Sequence, residues 1–299
     1  MEENCHPAPA PDAPASGLRA THAEAADEHT PGAWLTRVRA ERPLVHNITN
    51  LVVTNVAANA LLAIGASPVM AYAHEEVADM ARIARAVALN MGTLTPDVIT
   101  AMRIAGKAAN EAGVPVVFDP VGAGATPYRS QAAAQLTEAL RLTVLRGNTG
   151  EIGVLLGAGG QVTGVDSSGA GNELPQAMKA YARARGTVVI ATGAHDLVTD
   201  GESLWQLHNG HPLLGSITGS GCSLTAILGA FVGSVAHGSP LSTYASACVA
   251  AVTCFNVAGE LAAASAQGPG TFQAALFDAL YHLTEADVND RARVERVSL

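Results

Sequence analysis

The sequence predicts an α/β fold in which a mostly parallel central sheet is covered by helices on both faces. Short apolar runs bounded by turn residues alternate along the chain with longer helical patterns, which is typical of repeated strand–helix–strand units. The composition agrees. Of the 299 residues 48% are hydrophobic and only 14% are charged, while aromatic residues make up 4% and glycines number 30. Such a chain can bury a large core, with helices packed closely on a sheet.

The folded part is predicted to begin near Trp34, because Trp34, Leu35 and Val38 recur at helical spacing. The strands that follow are expected at 68–72, 86–90, 114–118, 142–145 and 187–191. The helices between them are expected at 50–64, 75–84, 96–112, 129–140 and 175–185. Since the strands are almost continuously apolar, both faces of the sheet should be buried.

The C-terminal third departs from this alternation. Asn209-Gly210 stands between two apolar flanks and is a hairpin signal, so antiparallel strands should border the sheet there. From Cys222 to about Leu283 the pattern is almost wholly helical, and RARVERVSL at the end of the sequence predicts an edge strand. We therefore expect one domain over residues 31–299, preceded by a disordered Pro/Ala-rich leader over residues 1–30.

Charge and motif content exclude several classes of protein. The formal net charge is −9 and only Lys107 and Lys179 are lysines, so a basic groove for nucleic acid is not expected. Neither lysine lies in a Gly-Lys-Ser/Thr motif, which excludes a P-loop, and no G-x-G-x-x-G follows the first strand, which disfavours an NAD-binding oxidoreductase. The apolar segments 222–236 and 245–258 are too short and too polar to be membrane spans, and the N-terminus lacks a signal-peptide core. A cytoplasmic protein with no membrane partner is predicted.

Cysteine and histidine spacing predicts no metal centre. The four cysteines, which contain no C-x-x-C pair, are Cys5, Cys222, Cys248 and Cys254. Cys248 and Cys254 are predicted to pack as small apolar residues. His46 is predicted to be a hydrogen-bonded structural residue, and the loop histidines His195, His208 and His211 to be solvated.

Polar and glycine-rich residues follow the predicted strands, where the carboxyl ends of parallel strands form ligand sites. They are Met70, Asn90-Met91-Gly92, Asp119-Pro120-Val121-Gly122, Arg146-Gly147-Asn148, Thr192-Gly193 and Gly219-Ser220-Gly221-Cys222. Their accumulation at one edge of the sheet predicts a single site.

Thr218-Gly219-Ser220-Gly221 opens directly into a long apolar helix. Two glycines let the backbone approach a ligand, and the first helical N–H groups can then stabilise a phosphoryl group as it is transferred. Tight packing of a helix start is an equally weighted alternative. Cys222 lies in the first turn of this helix, where a thiol has a lowered pKa and can act as a base or nucleophile. The alternative is that Cys222 packs as a small residue without a chemical role.

Three charged residues could serve the same site. Asp119, at a strand end beside a glycine turn, is suited to hold Mg²⁺ through water, although an Asx-type turn or helix cap is a common alternative. Arg146 can bind a phosphate. Glu151 can reach a metal-bound water, or Thr149 and Glu151 could cap the next helix.

Taken together these motifs resemble the hydroxyethylthiazole kinase family of the ribokinase-like superfamily. The matching segments, in order, are HNITNLVVTNVAANALLAIGASPVMA, NMGTL, VFDPVGAGAT, LRGNTGEI, ATG and ITGSGCSLTAILGAF. The resemblance runs from about Trp34 to at least Gly259. It implies a three-layer α/β sandwich that uses Mg-ATP to phosphorylate 4-methyl-5-(2-hydroxyethyl)thiazole for thiamine biosynthesis and salvage. It also implies a homotrimer with active sites at the subunit interfaces.

The resemblance implies roles for individual residues. Met70 and Gly219 would contact the thiazole, with Asn47, Asn90, Met91 and Gly92 nearby. Arg146 and Thr192 would bind ATP. Asp119 and Glu151 would organise Mg²⁺ and its waters. The catalytic group would be Gly219, Ser220 and Gly221 as the anion hole and Cys222 as the base.

Cys222 separates this family from most ribokinase relatives, which carry aspartate as the base at that position. The alternatives within the fold are a hydroxymethylpyrimidine-type kinase and a nucleotide-dependent hydratase, and both would be expected to carry the aspartate. A non-catalytic nucleotide-binding module is disfavoured because an anion hole, a candidate base and metal-binding acids occur together. Because a thiol is a less available base than a carboxylate at neutral pH, the anion hole should contribute more to the rate.

Overall fold

The computed structural model describes residues 30–158 and 173–298. In chain order the helices are α1 (Pro31–Glu41), α2 (Thr54–Ile64), α3 (Val77–Ile83), α4 (Pro96–Ala112), α5 (Pro127–Ala139), α6 (Thr149–Leu155), α7 (Glu173–Arg185), α8 (Ser220–Gly233), α9 (Leu241–Ser265), α10 (Pro269–His282) and α11 (Glu285–Arg291). The strands are β1 (Leu44–Ile48), β2 (Ser67–Val69), β3 (Ala86–Asn90), β4 (Val116–Asp119), β5 (Val144–Asn148), β6 (Val188–Thr192), β7 (Asp196–Thr199), β8 (Leu204–Leu207) and β9 (Val294–Val297). Apart from Thr30, the predicted leader lies outside the described residues.

One sheet carries all of these strands, in the order β2-β1-β3-β4-β5-β6-β7-β8-β9. Pairing is parallel from β2 to β6 and antiparallel from β6 to β9. The predicted mostly parallel sheet is therefore confirmed, and so is the terminal edge strand, since β9 pairs with β8.

Two hydrophobic clusters, one on each face of the sheet, make the fold a three-layer sandwich. One cluster joins the sheet to α1, α2, α8, α9, α10 and α11. The other joins it to α3, α4, α5, α6 and α7. Successive residues of a strand enter opposite clusters, as Val116 and Val117 of β4 do, which is what burial of both sheet faces requires.

Helix α9 is the one helix in the described ranges long and apolar enough to cross a membrane, judged by length and composition. In the fold, 78% of its apolar window is buried. Cys248 and Cys254 are completely buried within it, as predicted. It is thus the central helix of one core cluster.

The structure differs from the prediction in three places. Residues 44–48 form β1, which the sequence analysis did not assign, and helix α2 starts only at Thr54. The predicted hairpin turn at Asn209-Gly210 is wrong: β7 and β8 are joined across Asp200-Gly201, and Asn209 comes after β8. Asp200 Oδ1 accepts hydrogen bonds from the N–H groups of Glu202 and Ser203, and Gly201 has a φ of +94°, so this Asp-Gly pair makes the turn.

Asn209 has another role. Its Nδ2 donates to Glu260 on α9 and to the carbonyl of Arg291, and its Oδ1 accepts from the N–H of Arg293. The side chain therefore fastens the start of β9 to the core helix.

Candidate active site

The predicted strand-end residues do come together, because parallel strands in register bring their carboxyl ends to one edge of the sheet. Asn90 and Asp119 are aligned partners on β3 and β4, and Asn148 and Thr192 are aligned partners on β5 and β6. The N-terminus of α8 lies against this edge, since Arg146 in the middle of β5 donates to the Gly221 carbonyl in the first turn of α8. One continuous polar network results.

Asp119 is the centre of that network. Its side chain is 1% exposed. Oδ2 accepts hydrogen bonds from Asn90 Nδ2 (2.8 Å), Thr225 Oγ1 (2.7 Å) and Arg146 Nη1 (3.3 Å). Oδ1 is buried and has no hydrogen-bond partner among the described residues. Burial raises the pKa of this carboxyl to about 6, although the nearby Arg146 acts in the opposite direction.

Arg146 joins three elements. Its Nη1 contacts Asp119 and donates to the Gly221 carbonyl at 3.1 Å, and its Nη2 donates to Thr192 Oγ1 at 2.8 Å. The guanidinium is almost fully buried, and its Nε has no partner among the described residues. The ends of β4, β5 and β6 and the start of α8 are thereby held in one arrangement, with donors left over.

Cys222 is connected to Asp119 through two asparagines. Asn50 Nδ2 lies 3.4 Å from Cys222 Sγ and donates to Asn90 Oδ1 at 2.9 Å. Asn90 in turn donates to Asp119. Asn90, predicted to lie near the thiazole, thus belongs to a hydrogen-bonded chain between the thiol and the buried carboxylate.

The expected lowering of the Cys222 pKa is not found. Burial and the neighbouring carboxylate of Asp119 raise the pKa of this thiol, while the side chains of Asn90 and Asn50 and the charge of Arg146 lower it less. The position at a helix start does not by itself lower the pKa of the Cys222 thiol, because the thiol is largely buried and lies near a negative charge.

The N-terminus of α8 has the geometry of an anion site. Gly219 precedes the helix with a φ of +86°, a conformation that favours glycine, and a Cβ there would lie 2.7 Å from Val53 Cγ1. The first intrahelical bond runs from the Ser223 N–H to the Gly219 carbonyl. The N–H groups of Ser220, Gly221 and Cys222 therefore have no intrahelical acceptor. Ser220 Oγ donates to the Leu214 carbonyl at 2.7 Å, which directs that side chain away from a catalytic role.

Glu151 caps helix α6, with Asn148 and not Thr149 as its partner. The Glu151 N–H donates to Asn148 Oδ1, and Glu151 Oε2 accepts from the Asn148 N–H, which makes a capping box. Its other oxygen accepts from the Gly122 N–H at 2.7 Å. Within the described part of the chain no cluster of three or more His, Cys, Asp or Glu residues could hold a metal ion. Two carboxylates completed by phosphate and water are nevertheless a common arrangement for Mg²⁺.

The residues predicted to contact the thiazole differ in burial and in their contacts. Met70 follows β2 and is half-buried against the α2 side of the core. Asn47 is buried on β1, where its Nδ2 donates to the Val45 carbonyl. Gly92 lies against Asn50. His46 is structural as predicted: it is fully buried, its Nε2 contacts the Ala71 carbonyl, and burial lowers its pKa.

Sequence reasoning missed three residues that build the site. Asn50 contacts Cys222, Thr225 joins α8 to Asp119, and Arg129 on α5 donates to the carbonyls of Met91, Gly92 and Val121. Thr225 lies one helical turn after Gly221, so spacing from the glycine-rich start could have identified it. No local signal distinguishes Asn50 or Arg129 from other polar residues, since their partners are distant in sequence.

A separate cavity of about 550 Å³ lies at the opposite edge of the sheet, between α4, α5 and α7. Its cationic residues include Arg141 and Arg185, which donate to the carbonyls of Asn110 and Thr137. These side chains close helix ends, so the cavity is not a second candidate for the chemistry.

Comparison with known proteins gives one consistent result. Residues 35–286 match the model of the hydroxyethylthiazole kinase family. A protein named hydroxyethylthiazole kinase from Moorella thermoacetica is 56% identical over 247 residues, which is 83% of this chain and 90% of that protein. A hydroxyethylthiazole kinase protein from Pyrococcus horikoshii OT3 superposes with a TM-score of 0.79 at 42% identity, over 90% of this chain and 99% of that one. A ribokinase-like superfamily protein from Enterococcus faecalis shares the fold alone, with a TM-score of 0.56 at 14% identity over 81% of this chain and 87% of that one.

Proposed function

Because this chain belongs to the hydroxyethylthiazole kinase family, we propose that it transfers the γ-phosphoryl group of ATP to the hydroxyl of 4-methyl-5-(2-hydroxyethyl)thiazole. The observation that carries the proposal is the 56% identity with a kinase of that name over 83% of the chain. The fold is the three-layer ribokinase-like sandwich. Cys222 at the position of the aspartate disfavours a hydroxymethylpyrimidine-type kinase or a hydratase of the same fold.

The start of α8 stabilises the transferred phosphoryl group. The N–H groups of Ser220, Gly221 and Cys222 and the positive end of the helix dipole favour the negative charge on its oxygens. Glycine at 219 and 221 lets the helix start pack closely against Val53 and Arg146, since a Cβ there would lie 2.7 Å from Val53 Cγ1 and 3.0 Å from Arg146 Nη1. Since phosphoryl transfer depends on positioning and electrostatic stabilisation, we assign the larger part of the rate acceleration to this anion hole.

Arg146 and Thr192 bind ATP. Two nitrogens of the buried guanidinium, Nη1 and Nη2, already donate three hydrogen bonds, to Asp119, Gly221 and Thr192, and the group retains further N–H donors for phosphate oxygens. Its internal bonds fix its orientation before the nucleotide arrives, so little freedom is lost on binding.

Mg²⁺ fits the two carboxylates at this edge of the sheet. The buried Asp119 Oδ1 has no partner among the described residues and can accept a hydrogen bond from a metal-bound water. Glu151, although it caps α6, keeps a second lone pair on each oxygen. Bound Mg²⁺ would neutralise charge on the ATP phosphates.

Cys222 accepts the proton of the substrate hydroxyl. The hydroxyl oxygen forms a bond to the γ-phosphorus, the bond from that phosphorus to the β–γ bridging oxygen breaks to leave ADP, and the O–H proton passes to the Cys222 thiolate. Since burial and Asp119 raise the pKa of the thiol, only a small fraction is ionised at neutral pH. The anion hole is therefore expected to contribute more to the rate than the base does.

Met70, Asn47, Asn90, Gly92 and Gly219 form the thiazole side of the site in this proposal. The half-buried Met70 offers a polarisable apolar surface for an aromatic sulfur heterocycle. Asn47 and Asn90 are buried amides at the ends of neighbouring strands. They can orient the ring through its nitrogen.

We further propose a cytoplasmic homotrimer that serves thiamine biosynthesis and salvage, with each site completed at a subunit interface. Leu51 (76% exposed) and Val52 (67%) immediately follow Asn50, and Leu62 (56%) is exposed on α2. Exposed aliphatic side chains beside a catalytic site are typical of surfaces that another subunit covers.

The test is a measurement of ADP formation from Mg-ATP with a panel of vitamin-precursor alcohols. The hydroxyethylthiazole should be used with a kcat/KM at least tenfold above those of hydroxymethylpyrimidine and pyridoxal. Preference for another alcohol would refute the proposed substrate, and absence of ADP formation with every alcohol would refute the proposed kinase activity.

A further inference from the structure

Asn50 contacts Cys222, yet the proposed reaction gives Asn50 no role. The residue is 6% exposed and lies in the turn between β1 and α2. Its Nδ2 donates to Asn90 Oδ1 at 2.9 Å and is within 3.4 Å of Cys222 Sγ. One amide nitrogen therefore links the thiol to the hydrogen-bonded chain that ends at Asp119.

The orientation of the Asn50 amide is fixed by its own turn. Oδ1 accepts from the Val52 N–H at 3.2 Å, and the Asn50 carbonyl accepts from Thr54 Oγ1 at 3.0 Å. With the oxygen held by the backbone, the NH₂ group faces Asn90 and the sulfur. It offers the sulfur a donor, and a donor favours the charged form of its partner.

Gly92 provides an independent observation. A Cβ at Gly92 would lie 2.5 Å from Asn50 Nδ2 and 2.6 Å from Asn50 Cγ, so any side chain there would displace the amide. Gly92 does not have a positive φ, hence its backbone conformation does not require glycine. What requires glycine is the space occupied by Asn50.

We propose that Asn50 is a positioning residue which holds the Cys222 sulfur as a hydrogen-bond acceptor at the start of α8, and that Gly92 is glycine to make room for it. Two charged groups act on the same sulfur: the carboxylate of Asp119 opposes ionisation and the guanidinium of Arg146 favours it. Asn50 supplies a neutral donor next to the sulfur, which partly offsets the carboxylate.

The test is the rate of Cys222 alkylation by iodoacetamide in the full-length protein, followed by peptide mass spectrometry across about pH 6 to 11, where thiols ionise. In Asn50→Ala the midpoint of the pH profile should move upward by roughly one pH unit, about tenfold less thiolate at a given pH. Asn50→Asp keeps the shape but removes the amide donors and should move the midpoint upward as well. A change of access alone would alter the plateau rate and leave the midpoint unchanged.

Gly92→Ala provides a second and more specific test in the same alkylation experiment. It leaves every polar group in place but pushes the amide aside, so it should raise the midpoint as Asn50→Ala does. In the double variant the two shifts should not add. Gln135→Ala, which removes an exposed amide on α5, should change nothing. Cys248 and Cys254, completely buried, should stay unmodified in every variant and thereby report that the fold is intact.

An unchanged midpoint in Asn50→Ala, or fully additive shifts in the double variant, would overturn the inference. The alkylation test does not depend on the proposed reaction, whereas the effect on catalysis does. In the kinase assay Asn50→Ala should lower kcat at about pH 7 severalfold more than it changes KM for ATP. An inactive wild type would count against the proposed function alone.

Discussion

Asp119 is a buried carboxylate whose two oxygens differ sharply. Three donors meet Oδ2, whereas Oδ1 has none among the described residues. A purely structural carboxylate would be expected to satisfy both oxygens, because a buried acceptor without a partner costs about 1–3 kcal/mol. The asymmetry is what a residue kept for a ligand would show.

The pKa of Asp119 predicts how stability depends on pH. Burial raises it from 3.8 to about 6, so between these values the folded protein binds more protons than the unfolded chain, and stability falls as pH rises. Asp119→Asn cannot ionise. Its free energy of unfolding relative to wild type should therefore increase by on the order of 1–3 kcal/mol between about pH 3.5 and about pH 7. Urea unfolding in EDTA measures this difference, and a constant difference would show that the carboxylate is ionised at little cost.

Cys222 predicts how the rate depends on pH. If the thiolate accepts the proton, Cys222→Ser should keep substrate affinity and lower kcat by about 10²–10⁴-fold. Cys222→Asp should remain active and shift the ascending limb of the kcat–pH profile to lower pH by several units, because a carboxyl ionises well below a thiol. A loss of only a few-fold in Cys222→Ser, or identical pH profiles, would leave Cys222 as a residue that shapes the pocket.

At the scale of the elements, continuous apolar runs bounded by turns were enough to predict most strands. The run at 86–90 became β3, and the pattern at 96–112 became α4 with the predicted bounds. Strand β1 was not predicted because LVHNI contains two polar residues, His46 and Asn47. Their hydrogen-bond partners are backbone carbonyls, of Ala71 for His46 and of Val45 for Asn47. Burial of polar side chains is decided by tertiary contacts, which an apolar pattern does not reveal.

The hairpin illustrates a different limit. Asn209-Gly210 and Asp200-Gly201 are equally good turn signals, and only the pairing of Thr199 with Leu204 distinguishes them. The site was predictable to the extent that its residues follow strands. Asn50 and Arg129, which help to hold the site together, were not predictable, because each acts through a contact distant in sequence. Thr225 also contacts a distant residue, Asp119, and only its spacing from Gly221 could have indicated it.

The start of α8 gives a prediction at this scale. Gly219→Ala places a Cβ 2.7 Å from Val53 Cγ1 on a backbone with a φ of +86°. We expect a loss of about 1–3 kcal/mol in the free energy of unfolding and a fall in kcat, because the helix start must move. Gly215→Ala, where a Cβ meets nothing within 4 Å and φ is not positive, is the matched control. Equal melting temperatures and rates for the two variants would show that the helix start tolerates the shift.

At the scale of the whole molecule, the proposed trimer predicts a mass three times that of the 30.4 kDa chain in light scattering. Leu62→Asp should reduce the mass toward that of one chain and lower activity, since a charge cannot be buried between subunits without a partner. Ile83→Asp is the control, because Ile83 is similarly exposed on α3 in the other helix layer. A single-chain mass for the wild type would rule out the trimer, and an unchanged mass in Leu62→Asp would remove Leu62 from the interface.

The leader gives the second prediction at this scale. Deleting residues 1–29 should leave kcat and the melting temperature nearly unchanged, since a Pro/Ala-rich acidic segment buries little apolar surface. Deleting Thr30 as well should cost about 1 kcal/mol, because its side chain accepts the Ala33 N–H and caps α1. Calorimetry and the kinase assay on both truncations measure this. A large loss in the shorter truncation would mean that the leader packs on the domain.

Helix α1 also sets the order in which this chain can fold as it is synthesised. Its Trp34 donates to Ser246, 212 residues later, and the Gly32 N–H donates to Asn289, 257 residues later. At a translation rate of about 5–20 residues per second, roughly 10 to 50 seconds pass between the emergence of this helix from the ribosome and that of its partners. During that interval the apolar face formed by Trp34, Leu35 and Val38 has nothing native to pack against in α9 or α11. In the cell this apolar face therefore stays uncovered by α9 and α11 until nearly the whole chain has been synthesised.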